Sequence, residues 1–271
     1  MISKALKTSA AVSAICAALS AVPAIAQDAA TPMSPLVDQI NDGNWLETSE
    51  AQELVDELYY QRAVHAYMTM LPAMNTIGMR DGSEEAFGAG YNVLPIWKDR
   101  MNSLAWVPTP NADVIYSMSY LDLKETGPLV VAAPANVIGM FTDFFQRTLT
   151  DVGASGPDRA RGGLYLLLPP NYDGHVPDGY FTFESSTYNV FLFFRTIMGQ
   201  GDGVPDPAPA VEQAEQTRIY PLWAQEKDIP AMEFPNASNQ RVNMMYPIDN
   251  AFWTKLKDFV DYEPLTAIDP E

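Results

Sequence analysis

The most regular alternation of hydrophobic and polar side chains lies between Val114 and Asp122, in the sequence VIYSMSYLD. Successive side chains of a strand point to opposite faces of a sheet, and this stretch is rich in the β-branched and aromatic residues that strands favour. The alternation predicts a strand with residues 115, 117, 119 and 121 on one face and residues 114, 116, 118, 120 and 122 on the other. Shorter apolar runs predict further strands at residues 128–133, 137–145, 165–168, 180–183 and 189–197.

Helical spacing of the apolar residues marks the two ends of the chain instead. Ser49 and Gln52 match a capping box, which predicts a helix from residue 48 or 49 to about residue 71, where Pro72 would stop or kink it. A capping residue followed by proline at positions 206 and 207 predicts a second helix that runs to about Ile219. An amphipathic pattern predicts a third helix from about residue 250. The glycines after residue 77 predict irregular structure for residues 73–103.

Helices at both ends of the chain and six or more strands between them are typical of an α+β fold. Residues 128–133 and 137–145 are separated only by a turn, which predicts a meander of neighbouring strands. We expect a β-sandwich or jelly-roll-like body with helices at the N- and C-terminal ends. The length suits a single globular domain over residues 48–271, with a helical part at 48–100, a β-rich core at 104–200 and C-terminal helices at 206–262.

The N-terminal segment has the pattern of a secretory signal peptide. Lys4 and Lys7 precede a short apolar stretch that ends in the sequence AIA at residues 24–26, which predicts cleavage after Ala26. A lipid anchor on Cys16 is the alternative, but the bulky Ile15 before the cysteine and the AIA sequence after it favour cleavage. We therefore expect a signal peptide at residues 1–26, a loose leader at residues 27–47 and a periplasmic or secreted protein.

The composition is strongly acidic, with 34 acidic and 16 basic side chains and a formal charge of −18. Cleavage after residue 26 would leave 14 basic side chains, a charge of about −20 and no cysteine, because the single cysteine is Cys16. Such a charge argues against nucleic acid and anionic lipid surfaces as partners. The lack of cysteine excludes disulfides, thiolate nucleophiles and Cys-ligated metals from the mature chain. No apolar stretch is long enough for a membrane span.

Several kinds of catalytic site lack the sequence motif that they require. The two histidines, His65 and His175, lie far apart and form no metal-binding pair. No phosphate-binding loop and no dinucleotide-binding motif occur, and no G-x-S-x-G sequence surrounds a serine. We therefore expect no metal and no cofactor, and the sequence disfavours a hydrolase with a serine nucleophile.

The turn before the predicted strand carries the first candidate site residues. Pro108 and Pro110 have fixed φ angles, and Asn111 and Asp113 suit a turn because their short side chains bond the nearby backbone. Loops on a rigid scaffold often hold binding residues. Asn111, Asp113 and Tyr116 are therefore candidates. The alternative is that the first two only close the turn and that the tyrosine only packs.

The run PTPNADVIYS at residues 108–117 resembles the signature of a large bacterial family of secreted proteins without a settled activity, domain of unknown function twelve fifty-four. Similar motifs follow in order: RGG at 161–163 before Tyr165, PP at 169–170, STY at 186–188 before RT at 195–196, and YPL at 220–222. The resemblance covers about residues 45–225 and implies that Asn111, Asp113 and Tyr116 share a site. Tyr165 becomes a candidate ligand-binding residue through its place in these motifs. Many relatives carry a C-terminal domain, twelve fourteen, which we expect this chain to lack because it is short.

Charged side chains inside predicted strands form the second group of candidates. A charge in a strand interior is unfavourable unless it is paired or serves a pocket. Arg195 follows the aromatic-rich run 191–194, and Asp143 and Arg147 lie late in another predicted strand. Arg195 is interpreted either as an ion-pair partner of Asp143 or Asp113, or as a fork that binds a carboxylate, phosphate or sulfate.

Two functions from different classes follow from these residues. The first is a protein that binds a small anionic or polar ligand in a pocket built around the PTPNADVIY stretch. Its candidate ligand-binding residues are Asn111, Asp143, Arg147, Tyr165 and Arg195. The second is a metal-independent extracytoplasmic hydrolase or lyase with Asp113 and Tyr116 as catalytic acid–base groups, the carboxyl pKa being raised by burial. Binding is favoured because no nucleophile and base are paired in the sequence, and the aromatic-rich composition permits a homodimer.

Overall fold

A computed structural model describes residues 35–264 of the chain. The described residues divide into two compact units between His65 and Ala66. The signal peptide that we expect at residues 1–26 lies outside the described residues. Within the segment expected to be a loose leader, the structure has a helix at Pro35–Asn41. The second compact unit begins at Ala66, whereas the predicted globular domain begins at residue 48.

The longest helix continues well past the proline that was expected to end it. The described helices are α1 (Pro35–Asn41), α2 (Thr48–Phe87), α3 (Leu123–Thr126), α4 (Ala208–Ala214) and α5 (Ala251–Tyr262), with a short 3-10 helix at Glu226–Asp228. A proline inside a helix costs roughly 3 kcal/mol, but burial of a large apolar side chain contributes roughly 1.5 to 3 kcal/mol. Met70, Met74 and Ile77 are all buried. Their combined burial outweighs the cost of Pro72, and the helix therefore does not stop at residue 71.

The glycines that suggested irregular structure after residue 73 lie partly inside this helix. A Cβ atom on Gly78 would lie 2.5 Å from the backbone nitrogen of Tyr246, and one on Gly82 would overlap the backbone oxygen of Asn243. Glycine here permits the close approach of two backbone segments and does not break the helix. The prediction of irregular structure for residues 73–103 is therefore wrong as far as Phe87.

The strand that the sequence predicted most clearly has the predicted bounds. The described strands are β1 (Ala105–Trp106), β2 (Val114–Asp122), β3 (Leu129–Ala133), β4 (Ile138–Asp143), β5 (Thr148–Val152), β6 (Gly163–Leu168), β7 (Phe181–Glu184), β8 (Asn189–Ile197), β9 (Gly199–Gly201), β10 (Val204–Asp206), β11 (Arg218–Pro221) and β12 (Val242–Asn243). The predicted division of β2 into two faces is also confirmed. Tyr116, Met118 and Tyr120 pack in one cluster, whereas Ile115 and Leu121 pack in others.

Two four-stranded sheets form the body of the second unit. Sheet 1 has the strand order β2–β8–β4–β5, and sheet 2 has the order β11–β3–β6–β7. Leu121, Phe141 and Leu192 of sheet 1 share a buried cluster with Val131 and Tyr165 of sheet 2. Because each sheet buries one apolar face against the other, the two form a sandwich-like body. The predicted α+β fold class is confirmed.

The connection between two predicted neighbouring strands differs from expectation. β3 and β4 follow one another in sequence but lie in different sheets, so the predicted meander is wrong. The crossing occurs at residues 134–137, where Val137 is buried in the shared core. The helix that was expected to reach Ile219 ends at Ala214. Ile219 instead lies in β11, where it pairs with Val131 and is buried between the sheets.

The outer face of sheet 1 carries a second core. The described part of α2 from Met70 onward and α5 contribute to one buried cluster together with the face of β2 that carries Tyr116, Met118 and Tyr120. Phe252 of α5 belongs to the same cluster. Sheet 1 is therefore covered on both faces, and the gap left in this second core forms the site described below.

We expect Gly82→Ala to destabilise the protein, although alanine favours a helix over glycine by about 1 kcal/mol. The added methyl group would meet the backbone oxygen of Asn243, and overpacking typically costs about 1 to 3 kcal/mol. Urea unfolding should therefore give a lower free energy of unfolding than the wild type. Ala86→Gly, at an exposed position of the same helix, is the control and should lose only about 1 kcal/mol. A Gly82→Ala protein that is more stable than the wild type would contradict the close approach.

Candidate functional site

The outer face of sheet 1 forms the floor of a cavity, with β8 between β2 and β4. Directly opposed residues of antiparallel strands have neighbouring side chains on the same face. The register therefore sets out three rows across the floor. The rows are Tyr116–Arg195–Ile138, Met118–Phe193–Met140 and Tyr120–Phe191–Thr142. A row with a phenol and a guanidinium is thus followed by an apolar row and then by a row that ends in a threonine hydroxyl.

Two segments beyond the sheet complete the walls. The loop at residues 107–111 precedes β2, and Asn75 and Met79 come from α2. The cavity has a volume of about 520 Å³, which lies in the range of roughly 300 to 1,000 Å³ that small-molecule sites occupy. Its lining residues are Asn75, Met79, Met101, Val107, Pro108, Thr109, Pro110, Asn111, Tyr116, Met118, Met140, Thr142, Gln146, Phe191, Phe193 and Arg195.

Hydrogen bonds from side chains hold the proline-containing loop in place. The side-chain oxygen of Asn111 accepts a bond from the backbone N–H of Asp113 at 2.6 Å, and Arg100 Nε donates to the backbone oxygen of Ala112 at 2.6 Å. Thr109 has a φ of 51°, a left-handed conformation that costs a threonine on the order of 1 to 3 kcal/mol. Asn111 therefore closes the turn, as the alternative interpretation predicted, and it also lines the cavity.

Arg195 supplies the charge of this cavity. Among the described residues that line it, Arg195 alone carries a formal charge. Its guanidinium carbon lies 4.9 Å from the centre of the Phe193 ring, and its buried Nε has no hydrogen-bond partner within residues 35–264. The ion pair to Asp143 or Asp113 that the sequence allowed is not formed. Burial of a guanidinium N–H without a partner is unfavourable, and this N–H has no acceptor among the described residues.

Tyr116 lies directly opposite Arg195 in the pairing of β2 with β8 and is buried. Burial raises the pKa of the phenol above its ordinary value, Arg195 acts in the opposite direction, and Asp113 adds to the rise. The phenol is therefore neutral near pH 7. At the cavity it can donate a hydrogen bond next to the guanidinium but cannot act as a base.

Thr142 is a lining residue that the sequence reading missed. It is 4% exposed, and its Oγ1 is buried without a hydrogen-bond partner in the described part of the chain. The alternation of β4 puts Thr142 on the same face as Met140. That signal is present in the sequence, but a threonine in an apolar strand is common and indicates nothing by itself. Only the pairing with Phe191 of β8 brings it to the floor of the cavity.

The position of Asp113 does not suit the acid–base role that we expected of it. The residue is exposed and does not line the cavity. The acid–base role required a carboxyl group in a partly buried pocket, where burial would raise its pKa. Its backbone N–H instead donates to the side chain of Asn111 and closes the turn. Asp113 precedes Val114, the first residue of β2, and therefore lies outside the cavity floor.

Asp143 and Arg147 pair with one another and do not line the cavity. Asp143 Oδ2 accepts bonds from Arg147 Nε at 2.7 Å and from the hydroxyl of Ser186 at 2.6 Å. Asp143 Oδ1 accepts a bond from the backbone N–H of Arg147 at 2.8 Å. These bonds fix the turn between β4 and β5. The turn presents Gln146, which has a φ of 62° and does line the cavity.

Tyr165 lies between the two sheets and not in the cavity. It is fully buried, and its hydroxyl donates to Asp158 Oδ1 at 2.8 Å. Asp158 also accepts bonds from the backbone N–H groups of Gly153 and Gly162. Burial, followed by the bond to Asp158, raises the pKa of Tyr165. This residue therefore holds the loop that contains Asp158, and its assignment to ligand binding does not fit its position.

Two other cavities are less suited to a ligand. One of about 280 Å³ lies near Asp81 and Asp122, but Asp81 pairs with Arg80 and Lys255, and Asp122 accepts a bond from Tyr262. The other, of about 690 Å³, is larger and lies along residues 218–234. Its arginine, Arg218, already donates to two backbone oxygens. The cations of both cavities therefore have partners within the protein, in contrast to Arg195 Nε.

Comparison with known proteins finds a family model that matches the middle of the chain. A family model described as protein of unknown function (DUF1254) matches residues 91–221. This match confirms the resemblance to the family that the sequence motifs indicated. The matched DUF1254 residues include the proline-containing loop and strands β2, β4 and β8, and therefore the whole floor of the cavity. They do not include the residues of α2 that line it.

Two further comparisons add no activity. None of the curated proteins matches the chain. The crystal structure of the VPA0106 protein from Vibrio parahaemolyticus is similar with a TM-score of 0.43 and 15% sequence identity, over 73% of this chain and 48% of that one. The chain thus spans about half the length of that protein.

Within residues 35–264, no group of three or more His, Cys, Asp or Glu side chains could hold a metal ion, and no helix is long and apolar enough to cross a membrane.

We expect Tyr165→Phe to lower stability and leave the cavity intact. The change removes one of the bonds to Asp158, and a hydrogen bond to a charged group contributes about 1.5 to 3 kcal/mol. Urea unfolding should show a lower midpoint with an unchanged m-value. Tyr172→Phe is the control, because the Tyr172 hydroxyl is exposed and makes only a long contact of 3.5 Å to His175. Equal stability of Tyr165→Phe and the wild type would refute this role of the hydroxyl.

Proposed function

We propose that this protein binds a small organic anion in the cavity on the outer face of sheet 1. The observation that carries the proposal is the half-buried Arg195, whose Nε lacks a partner among the described residues at the wall of an otherwise uncharged cavity. A guanidinium matches the geometry of a carboxylate, sulfate or phosphate. The anionic head of the ligand takes the partner position that Asp143 and Asp113 leave empty.

The side chains around Arg195 suit such a head group. Tyr116 supplies a neutral phenol, and Asn111 uses its side-chain oxygen in the turn, so its side-chain nitrogen remains as a donor. Both groups donate hydrogen bonds without adding charge. A hydrogen bond with one charged partner is roughly twice as strong as a neutral one. The same arrangement gives a protein with a net charge of −18 a local site for an anion.

The rest of the lining indicates that the ligand also has an apolar part. Met79, Met101, Met118 and Met140 face the cavity together with Phe191 and Phe193. Methionine is flexible and polarizable, so it adapts to ligands of different shape. We therefore propose an amphipathic anion, such as a medium-chain or aromatic carboxylate, as the class of ligand.

Binding without catalysis is the better supported function. The hydrolase or lyase alternative needs a carboxyl group inside the pocket, but Asp113 is exposed and outside the lining. Tyr116 has a raised pKa and would lack a partner base. We propose that binding takes place in the periplasm or after secretion, as the sequence of residues 1–26 indicates. N-terminal sequencing of the exported protein tests this location, and the homodimer remains a prediction.

Octanoate is a suitable first probe, and Arg195→Met should weaken its binding. Loss of a charge-assisted contact of about 1.5 to 3 kcal/mol corresponds to a roughly 10- to 100-fold weaker affinity, measured by isothermal titration calorimetry. Arg195→Lys keeps the charge without the fork and should fall between the two. Octyl sulfate and octyl phosphate distinguish carboxylate from other head groups, and octanol tests whether the charge is needed.

The matched control is Arg241→Met, which removes one positive charge from an exposed residue outside the cavity. This variant should bind octanoate as the wild type does. The proposal fails if no anionic probe binds, if octanol binds as tightly as octanoate, or if Arg241→Met weakens binding as much as Arg195→Met.

Octanoate binding should weaken at high pH through ionisation of Tyr116. Since burial raises the pKa of this phenol, its proton is retained above its ordinary pKa of about 10 and binding should be constant between about pH 7 and about pH 9. A phenolate would repel the anion, so affinity should fall only above about pH 10. Tyr116→Phe should remove this fall. Circular dichroism at each pH checks that the protein is folded, and the same decline in the folded variant would contradict a contact between Tyr116 and the ligand.

A further inference from the structure

We infer that the ligand is elongated and carries an uncharged polar group at the end opposite its anionic head, where Thr142 binds it. This inference rests on the proposed function, because it takes the anionic head to lie at Arg195. It adds the length of the ligand and the chemistry of its far end. Thr142 then selects among anions according to what they carry at that end.

The register of sheet 1 sets the distance between the two ends. Arg195 pairs with Ile138 on β4, and Thr142 lies four residues farther along the same strand. A strand rises about 3.3 Å per residue, so the two rows are roughly 13 Å apart along the floor. The Arg195 guanidinium leans over the ring of Phe193 in the middle row, so the span from the anionic head to Thr142 is shorter than this row spacing. A ligand that uses both groups is still extended.

The far end contains the second buried polar atom of the cavity without a protein partner. Of the buried side-chain atoms that lack a hydrogen bond within residues 35–264, two belong to the cavity lining: Arg195 Nε and Thr142 Oγ1. Thr142 is more than nine-tenths buried. A buried hydroxyl without a partner is costly and rare. Because Thr142 lines the cavity, rotation about its χ1 to another staggered rotamer would turn the hydroxyl toward a polar ligand atom, which would satisfy it.

The neighbours of Thr142 indicate that this ligand group is polar but not charged. Gln146 donates its side-chain N–H to the backbone oxygen of Pro72 at 3.2 Å and to Thr76 Oγ1 at 3.4 Å. These contacts orient the amide at the cavity wall and leave its oxygen as an acceptor. Asn75 of α2, the helix that contains Pro72 and Thr76, adds a second amide to the cavity lining. The described lining at this end holds no cation, and Arg147 is paired with Asp143, so a second anionic group would be unpaired.

The floor between the two ends is apolar. The middle row consists of Met118, Phe193 and Met140, and Met79 faces the same space from α2. The ring of Phe193 lies 5.4 Å from that of Tyr116 and 5.8 Å from that of Phe191. The floor thus matches a ligand with an anionic head, an apolar middle and a hydroxyl or amide at its far end. An ω-hydroxyalkanoate is the simplest molecule of this kind.

The test compares ω-hydroxyalkanoates, from hydroxyhexanoate to hydroxydodecanoate, with the unsubstituted alkanoates of the same lengths. We expect the hydroxyl group to strengthen binding by about 3- to 10-fold at one or two chain lengths and to weaken it at shorter ones, which cannot reach Thr142. Thr142→Val should abolish this gain, so that each ω-hydroxyalkanoate binds this variant no more tightly than the alkanoate of the same length. Thr142→Ser, which retains the hydroxyl, should retain the gain.

A matched control is available in β8. Thr196 is also fully buried with an unpartnered Oγ1, but it does not line the cavity. Thr196→Val should leave the gain from the ω-hydroxyl group intact. Neither valine variant should lose thermal stability, because each replaces a buried hydroxyl without a protein hydrogen bond by a methyl group of similar size.

The outcomes separate this inference from the proposed function. If alkanoates bind in a manner that depends on Arg195 but the hydroxyl group strengthens binding at no chain length, the inference is overturned and anion binding stands. The same holds if the gain survives in Thr142→Val. If neither series binds, both proposals are overturned. Should Thr142→Val not fold, the chain-length profile of the wild type still decides between these outcomes.

Discussion

The site depends on one constraint, the register in which β8 pairs with β2 on one side and β4 on the other. This register places Tyr116 beside Arg195 and Thr142 beside Phe191. A shift of β8 by one residue would turn its own side chains, including Arg195 and Phe191, to the opposite face, into the core that sheet 1 shares with sheet 2. Such a shift would bury Arg195 among apolar side chains and expose Phe194. The packing of the sandwich therefore fixes the chemistry of the cavity on its other face.

The two faces of sheet 1 differ in how they are covered and in how their polar side chains are paired. The inner face is a closed apolar core against sheet 2, in which Tyr165 finds its partner in Asp158. The outer face is covered by parts of α2 and α5, and their cover is incomplete over the Arg195 half of the floor. Arg195 and Thr142 both line this gap, and each carries a buried side-chain atom without a hydrogen-bond partner among the described residues.

Local sequence patterns predicted most helices and strands. Long-range contacts determined the helix ends and the positions of several candidate residues, which the sequence did not show. The alternation at Val114–Asp122 predicted the strand and its two faces because a half-buried strand imposes a period of two. Pro72 and Gly82 were misread as breaks, since burial against a distant segment is invisible in local propensity. The turn at Asn111 was predicted from its chemistry, and Arg195, a candidate because of its charge within a strand, lies in the cavity lining. The exposure of Asp113, the pairing of Asp143 with Arg147 and the position of Thr142 in the cavity lining depend on tertiary structure, which no local pattern encodes.

The most direct test of this account is nitrogen NMR of the Arg195 Nε–H group, assigned by its loss in Arg195→Lys. The account predicts that the ligand-free protein gives a signal typical of a guanidinium N–H without an acceptor. Addition of a matching ω-hydroxyalkanoate should then shift the signal to a hydrogen-bonded position, while the signals of exposed arginines stay in place. A signal that is already hydrogen-bonded without ligand, or that does not respond to any organic anion, would contradict the account.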